Sequence, residues 1–466
     1  MPTAWKKKDT QSTKRNKVFI PDFSVGTRKK KRKPEIMCTD QIPKQPVRRE
    51  DFPILGRKVR GGNDLVYLDA GATAQLPQQV IDAVNEQMCF HNGAVNRGSH
   101  RLAEESTIAY EDARAAVADL VGAETEELVW TKNSTESLNL LAYAIDNYTR
   151  GRRGENDSSA TDSRLVLGKG DSVVVTRAEH HANLVPWQEL CARTGAEFRW
   201  IDLTADGRLD LDTAGVIDSG TKIVAFAHVS NVTGAVAPVS ELTQIAHRAG
   251  ALTVLDACQS VPHLPLDLHR MDVDFAAFSG HKMYGPTGVG VLYGKKELLS
   301  LLPPVMTGGS MVELVTMEKT TYKGMPARFE AGTQPVTQII GLGAAAKYLQ
   351  AAGMDRIAAY EEYLTGYLLH EIAGVGHVRV LGPLTAENRV GAVAFQVEGV
   401  HPHDVGQLLD SYGVAVRTGH HCAQPVHRHF GVFSSSRASL APFNTVADID
   451  RFIEALRQVR GFFGVE

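Results

Sequence analysis

The feature that most constrains this chain is a series of short β-branched segments, apolar on both faces, that alternate with helical patterns. Val173-Val174-Val175 and Ile223-Val224-Ala225-Phe226 offer water no polar face. Strands of that kind are buried on both sides, which requires helices on both faces of a largely parallel sheet. The pattern predicts strands at 65–69, 127–131, 172–176, 222–228, 252–256, 273–279 and 289–293. Between them it predicts helices from Pro77, over 104–121, after Ser134, over 183–193 and over 238–249. Beyond about residue 335 the order changes. Helices over 337–352 and from Asp355, strands at 378–381 and 391–397, a helix from His403, a short strand at 414–417 and a last helix from Val446 suit a smaller α+β domain.

Charge divides the chain differently. Residues 1–50 hold 15 Lys and Arg against 5 Asp and Glu, a net of +10, so the rest of the chain carries −13. The basic stretch has few apolar positions and no periodicity, and reads as a disordered, solvated tail more than as a nucleic-acid-binding arm. No apolar run approaches the ~18 residues of a membrane span. The 5 cysteines are widely spaced with no C-x-x-C pair, as free thiols in a reducing compartment are. A soluble intracellular protein is expected.

Some motifs mislead. Gly341-Leu342-Gly343-Ala344-Ala345-Ala346 spells a dinucleotide fingerprint, but it lies inside a helical pattern with no strand before it, so close helix packing explains it better. His420, His421, Cys422, His427 and His429 are zinc-ligand types at a spacing that matches no common zinc pattern; no metal is expected. The informative stretch is Ser279-Gly280-His281-Lys282, at the end of an apolar strand. Gly there permits close backbone approach, Ser and His can bond a phosphate, and a partly buried lysine can hold pyridoxal phosphate covalently. Asp256 ends another buried strand 26 residues earlier, followed by Gln259; an ionised carboxylate there would keep a pyridine nitrogen protonated. Asn133-Ser134-Thr135-Glu136 opens a helix directly after a strand and offers its N-terminus to an anion.

With these residues in place the chain resembles the pyridoxal-phosphate-dependent cysteine desulfurases of the class V aminotransferase family, in the SufS-like group that includes selenocysteine lyases. The likeness runs from about Asp51 to Phe463. It is carried by Tyr67-Leu68-Asp69, Arg97-Gly98, Glu179-His180-His181-Ala182-Asn183, His228-Val229-Ser230-Asn231, Ser279-Gly280-His281-Lys282, the 328–333 segment, Arg417-Thr418-Gly419-His420-His421-Cys422-Ala423 and Arg437-Ala438-Ser439-Leu440.

The resemblance implies α/β fold type I, with a mainly parallel seven-stranded sheet in a large domain over 71–335. The small α+β domain would comprise 51–70 and 336–466, with the basic tail over 1–50. It implies that Lys282 binds the cofactor and shuttles the proton at the substrate α-carbon, that Asp256 meets the pyridine nitrogen, that Gln259 bonds the phenolic oxygen and that His180 stacks on the ring. Ser134, Thr135, Ser279 and His281 would hold the phosphate, with Thr333 reaching in from the second subunit of a homodimer. Asn231 would lie beside the cofactor, Arg437 would clamp the substrate carboxylate and Arg417 would sit near the thiol loop. Cys422 would take sulfur from L-cysteine as a persulfide, leaving L-alanine, with Arg417 and either His420 or His421 as cations favouring the thiolate. A sulfur-acceptor protein of the Suf type, in iron–sulfur cluster assembly, would follow. The alternatives are a selenocysteine lyase, or a related lyase or epimerase that does not use the thiol. Relatives usually have His where this chain has Asn96, and Gly-Ala where it has Ala257-Cys258.

Overall fold

Side chains of the double-sided strands alternate between two cores. Val173, Val175, Ile223 and Ala225 enter one; Val174, Val224 and Phe226 enter the other. Each such Val, Ile or Phe, fully buried, contributes about 1.5–3 kcal/mol. The computed structural model describes residues 42–96, 98–154 and 162–465. The expectations for the tail over 1–41, for Arg97 and for the middle of the 150–170 loop lie outside the described residues. From Pro43 onward the chain is one compact unit. Residues 43–50, grouped with the tail by charge, belong to that unit: Val47 is buried, Gln45 donates to the Pro442 carbonyl and Arg49 pairs with Asp448 at 2.9 Å.

After a short strand β1 (Val66–Tyr67) come β2 (Leu128–Thr131), β3 (Ser172–Thr176), β4 (Glu197–Ile201), β5 (Thr221–Ala227), β6 (Leu252–Asp256), β7 (Phe275–Ser279) and β8 (Gly290–Gly294). The last seven form one sheet in the order β2-β8-β7-β6-β5-β3-β4. Its pairs are parallel from β7 to β4, and β8 is antiparallel to both its neighbours. The helices Ser134–Gly154 and Val185–Thr194 cover one face; Gln78–Phe90, Arg101–Val121, Val239–Ala249 and Val336–Ala352 cover the other. Gly341 and Gly343 lie inside the last of these, as their context predicted. A Cβ on Gly343 would meet that of Ala113 at 2.5 Å, and one on Gly341 would meet Pro286 at 2.6 Å.

An antiparallel hairpin follows, β9 (Val312–Val315) with β10 (Thr320–Tyr322). The second sheet comprises β11 (Val378–Leu381), β12 (Ala392–Val397), β14 (Arg417–Gly419) and β15 (Ser435–Ser439), in the order β11-β12-β15-β14 and antiparallel throughout. The expected strand at 414–417 breaks at Val416 into two. Its first part, β13 (Val414–Ala415), pairs with β1, and its second, β14, joins this sheet. Helices Met354–Ala373, Pro402–Ser411 and Val446–Phe462 pack a third core against it. Among the described residues no helix is long and apolar enough to cross a membrane.

Candidate active site

The carboxyl ends of the parallel strands, where ligands bind in open α/β sheets, bring the predicted residues together. A cleft of about 230 Å³ is lined by Ser134, Thr135, His180, Asn231, Ser279, His281, Lys282, Arg417, His421, Cys422 and Arg437. Beneath it, a smaller space shared with Ser134, His180, Asn231 and Lys282 reaches Asp256, Cys258 and Gln259.

One corner is built for an anion. Strand β2 leads into the helix that starts at Ser134, and Asn133 Oδ1 caps it by accepting from Glu136 N at 3.0 Å. Ser279, at the end of β7, accepts from Ser134 N at 2.9 Å and lies 3.1 Å from Ser134 Oγ. Gly290 lets β8 pass beneath this turn, because a Cβ there would sit 2.5 Å from Asn133 Cα. Lys282 ends the 3-10 turn Gly280–Lys282 after β7. That turn is tied to the loop after β1, where the His281 carbonyl accepts from Ala74 N at 2.8 Å and Thr73 Oγ1 at 3.1 Å. Asp256 Oδ1 accepts from Cys258 N at 3.0 Å, and Gln259 Nε2 donates to the Gly71 carbonyl at 2.9 Å.

His180 Nδ1 accepts from Ala182 N at 3.1 Å, so the ring proton of the neutral form sits on Nε2. Burial first, then nearby Lys282, pushes this imidazole down to about 4. It is therefore a neutral aromatic face. Burial and Lys282 likewise push His281 down to about 4, leaving a neutral ring that hydrogen-bonds Thr73 Oγ1 at 3.2 Å. Burial raises Cys258 to about 11, so that thiol stays protonated.

The other end of the cleft is a turn between β14 and the helix Gln424–His429. Cys422 is exposed there, and it and His421 both adopt left-handed backbone, φ 54° and 50°. Two such residues in succession are unfavourable without external support. Two loops at the strand ends of the large sheet supply it. Asn231 Nδ2 donates to the His421 carbonyl at 2.7 Å, His181 N to the Cys422 carbonyl at 2.7 Å, and Gln424 N to His181 Nε2 at 3.2 Å. Arg437, buried on β15, donates to the Asn231 carbonyl at 2.9 Å and pairs with Asp69 at 3.4 Å; Arg417 lies 4.0 Å from Asp69. A Cβ on Gly71 would press on the Arg437 guanidinium at 3.1 Å. His421 departs from expectation as a cation beside the thiol. It is buried, and desolvation followed by the charge of Arg437 pushes it down to about 2, so it is neutral.

The donor set fits pyridoxal phosphate. A helix N-terminus with three hydroxyls suits the phosphate, the neutral His180 ring a flat aromatic, Asp256 a protonated pyridine nitrogen and Lys282 the aldehyde carbon. Buried Asn231 Oδ1 and Arg437 Nε have no hydrogen-bond partner among the described residues. Thr333 lies on an exposed turn and is not among the residues lining the cleft. Among the described residues no three His, Cys, Asp or Glu side chains are grouped to hold a metal. Sequence reasoning missed Thr73, Asp69 and the clamping role of His181. The Tyr67-Leu68-Asp69 motif was a signal for Asp69, and none pointed to Thr73.

The aminotransferase class-V family model matches residues 66–452. The chain is 54% identical over 419 residues to the probable cysteine desulfurase 2 of Mycobacterium leprae, covering 90% of this chain and 97% of that protein. Among solved structures, the apo cysteine desulfurase of Thermococcus onnurineus NA1 superposes with a TM-score of 0.81 at 36% identity, over 91% of this chain and all of that one. The cysteine desulfurase CsdA of Escherichia coli, in an S-sulfonic acid form, gives 0.78 at 35% identity over 89% and 98%.

Proposed function

Since this chain belongs to the aminotransferase class-V family, we propose that it is a pyridoxal-5′-phosphate-dependent cysteine desulfurase of fold type I, converting L-cysteine to L-alanine. The observation that carries the reading is an exposed thiol, Cys422, on a braced left-handed turn, lining the same cleft as Lys282, His180 and Arg437.

The cofactor, when bound, supplies an electron sink for bonds at the α- and β-carbons of the substrate. Lys282 would hold it and move the proton at the α-carbon. Asp256 would meet its pyridine nitrogen, Gln259 its phenolic oxygen, His180 its ring, and Ser134, Thr135, Ser279 and His281 its phosphate, with Thr333 contributed by a second copy in a homodimer. Arg437 takes the substrate carboxylate with two parallel hydrogen bonds, a task suited to a planar guanidinium, and Asn231 and Arg417 border the substrate. The Cys422 thiolate attacks the substrate sulfur. The S–S bond forms as the carbon–sulfur bond breaks, its electron pair leaves toward the β-carbon, and protonation there yields alanine.

The persulfide on Cys422 passes to an acceptor protein of the Suf type for iron–sulfur cluster assembly, in a reducing cytoplasm that keeps the thiols free. On this reading residues 71–335 form the cofactor domain, and 51–70 with 336–466 the domain that carries the thiol loop. Purified holoenzyme given L-cysteine should release equal amounts of alanine and transferable sulfur. Alanine production that survives Cys422→Ser would overturn the nucleophile assignment.

A further inference from the structure

Arg437 already holds a carboxylate. It sits on β15, and the chain from Leu68 to Gly71 runs alongside that strand: Ser439 N donates to the Leu68 carbonyl at 2.7 Å, Asp69 bridges in parallel to Ser439, and Gly71 N donates to Ser439 Oγ at 2.8 Å. That pairing brings the half-buried Asp69 side chain against the buried guanidinium. Arg437 Nη2 donates to Asp69 Oδ1 at 3.4 Å, and Nη1 to the Asn231 carbonyl at 2.9 Å. Gly71 closes on the same nitrogen, since a Cβ there would lie 3.1 Å from Nη2. Asp69 Oδ2 is 4.0 Å from Arg417 Nη1, and both arginines line the cleft. One carboxylate thus serves two guanidiniums. Burial lowers Arg437 and raises Asp69, and in each the opposite charge of the other acts against the shift. The contact at 3.4 Å is longer than the usual charge-assisted bond of about 2.7–2.9 Å, so Asp69 orients Arg437 without saturating it.

We infer that Asp69 is a positioning residue that acts through Arg437 as a built-in rival of the substrate carboxylate: it orients the guanidinium in the resting enzyme, then weakens its hold on the bound amino acid and speeds the release of alanine. The inference rests on the cysteine desulfurase reading and adds a determinant of product release at that site. A second carboxylate on the same guanidinium comes within the range of about 6 Å over which one charge perturbs another. Like charges at that separation repel, more strongly at a partly buried site than in water.

The test compares binding of L-alanine and of ethylamine, the same amine without the carboxylate, to native, Asp69→Asn and Asp69→Glu holoenzyme. Cofactor absorbance reports binding, and KM and kcat for L-cysteine are measured alongside. Asp69→Asn should tighten L-alanine about tenfold and leave ethylamine within about twofold, with KM for L-cysteine falling by a similar factor and kcat falling as release slows. Asp69→Glu, which keeps the charge, should retain the native ratio of the two affinities. A role in folding alone would loosen both amines and raise KM. L-Alanine that binds no tighter to Asp69→Asn, or that tightens only as much as ethylamine does, would overturn the inference. Should Asp69→Asn fail to hold the cofactor, Arg417→Gln, at an exposed position, carries the test by removing the other cation beside Asp69. Alanine should then bind about threefold more weakly with ethylamine unchanged, and an unchanged alanine affinity would overturn the rivalry. Native holoenzyme that forms no alanine from L-cysteine would instead remove the function on which it rests.

Discussion

The two ends of the cleft are built in opposite ways. At the Lys282 end, groups sit on the ends of buried strands, with Ser279 on β7 and Asp256 on β6, and their partners are mostly near neighbours in the same sheet. At the Cys422 end, an exposed residue on a left-handed turn belongs to another sheet and is fastened to the first by single hydrogen bonds from Asn231 and His181. A site on rigid strand ends holds a cofactor through many turnovers. A loop fastened at a few points can present a sulfur and release it.

Substitutions should separate the two ends. The largest effect belongs to Lys282→Ala, which should lower both alanine formation and α-proton exchange of L-alanine in heavy water by at least about a thousandfold. Cys422→Ala should lower alanine formation from cysteine by a similar factor while leaving that exchange intact. Loss of exchange in this second variant would mean that the ends are not separable. Next is Arg437→Lys, which exchanges a planar fork for a point charge. Its kcat/KM should fall about a hundredfold, chiefly through KM, whereas a fall confined to kcat would place Arg437 away from the substrate carboxylate. His181→Ala removes only the ring that receives Gln424 N; about a tenfold loss in kcat with normal cofactor content is expected, and cofactor loss would tie His181 to the other end.

The smallest effect is on stability. His180, His228 and His281 are each pushed down to about 4 from 6.5, mainly by burial. Their folded values lie below the unfolded one, so below pH 6.5 the unfolded chain takes up protons that the native state refuses. The stability they confer is present above 6.5 and lost as the pH falls toward 4. Glu179 acts in the opposite sense. Burial raises it from 4.5 to about 8 despite hydrogen bonds from Thr176, Asn183 and Ala227 N. Its contribution is full below 4.5 and lost as the pH rises through 8. His421, pushed down to about 2, adds to the three in the same sense, so the histidines outweigh Glu179 and Tm should rise from pH 4 to about 6.5 and then decline slightly toward 8. A Tm that climbs steadily to pH 8 would show that Glu179 is ionised in the folded protein.

The cofactor end was the more legible in the sequence, and the reason is physical. Strands buried on both faces must be apolar throughout, so β3, β5 and β6 announce themselves, and the residues at their ends can be read by position. The edge strand β4 is only partly buried and mixes Glu197, Arg199 and Trp200, which hides it. Strand β15 is harder still. Ser435-Ser436-Arg437-Ala438-Ser439 is entirely buried yet polar, because its side chains find partners from afar: Ser435 in His421 and His427, Ser436 in the Pro402 carbonyl, Arg437 in the Asn231 carbonyl and Ser439 in Gly71 N. Nothing local records those partners. The motif around Cys422 was visible, but the brace that permits its backbone was not. His421 was misjudged as a cation because spacing along a chain does not register burial.

The central claim is that Cys422 itself receives the sulfur. Holoenzyme free of reductant should be given one equivalent of L-cysteine, quenched by alkylation and mapped by peptide mass spectrometry, with alanine quantified in parallel. One added sulfur on the Cys422 peptide is expected for each alanine formed. Alanine formed with Cys422 unchanged, or the sulfur found on Cys38, Cys89, Cys191 or Cys258, would contradict it.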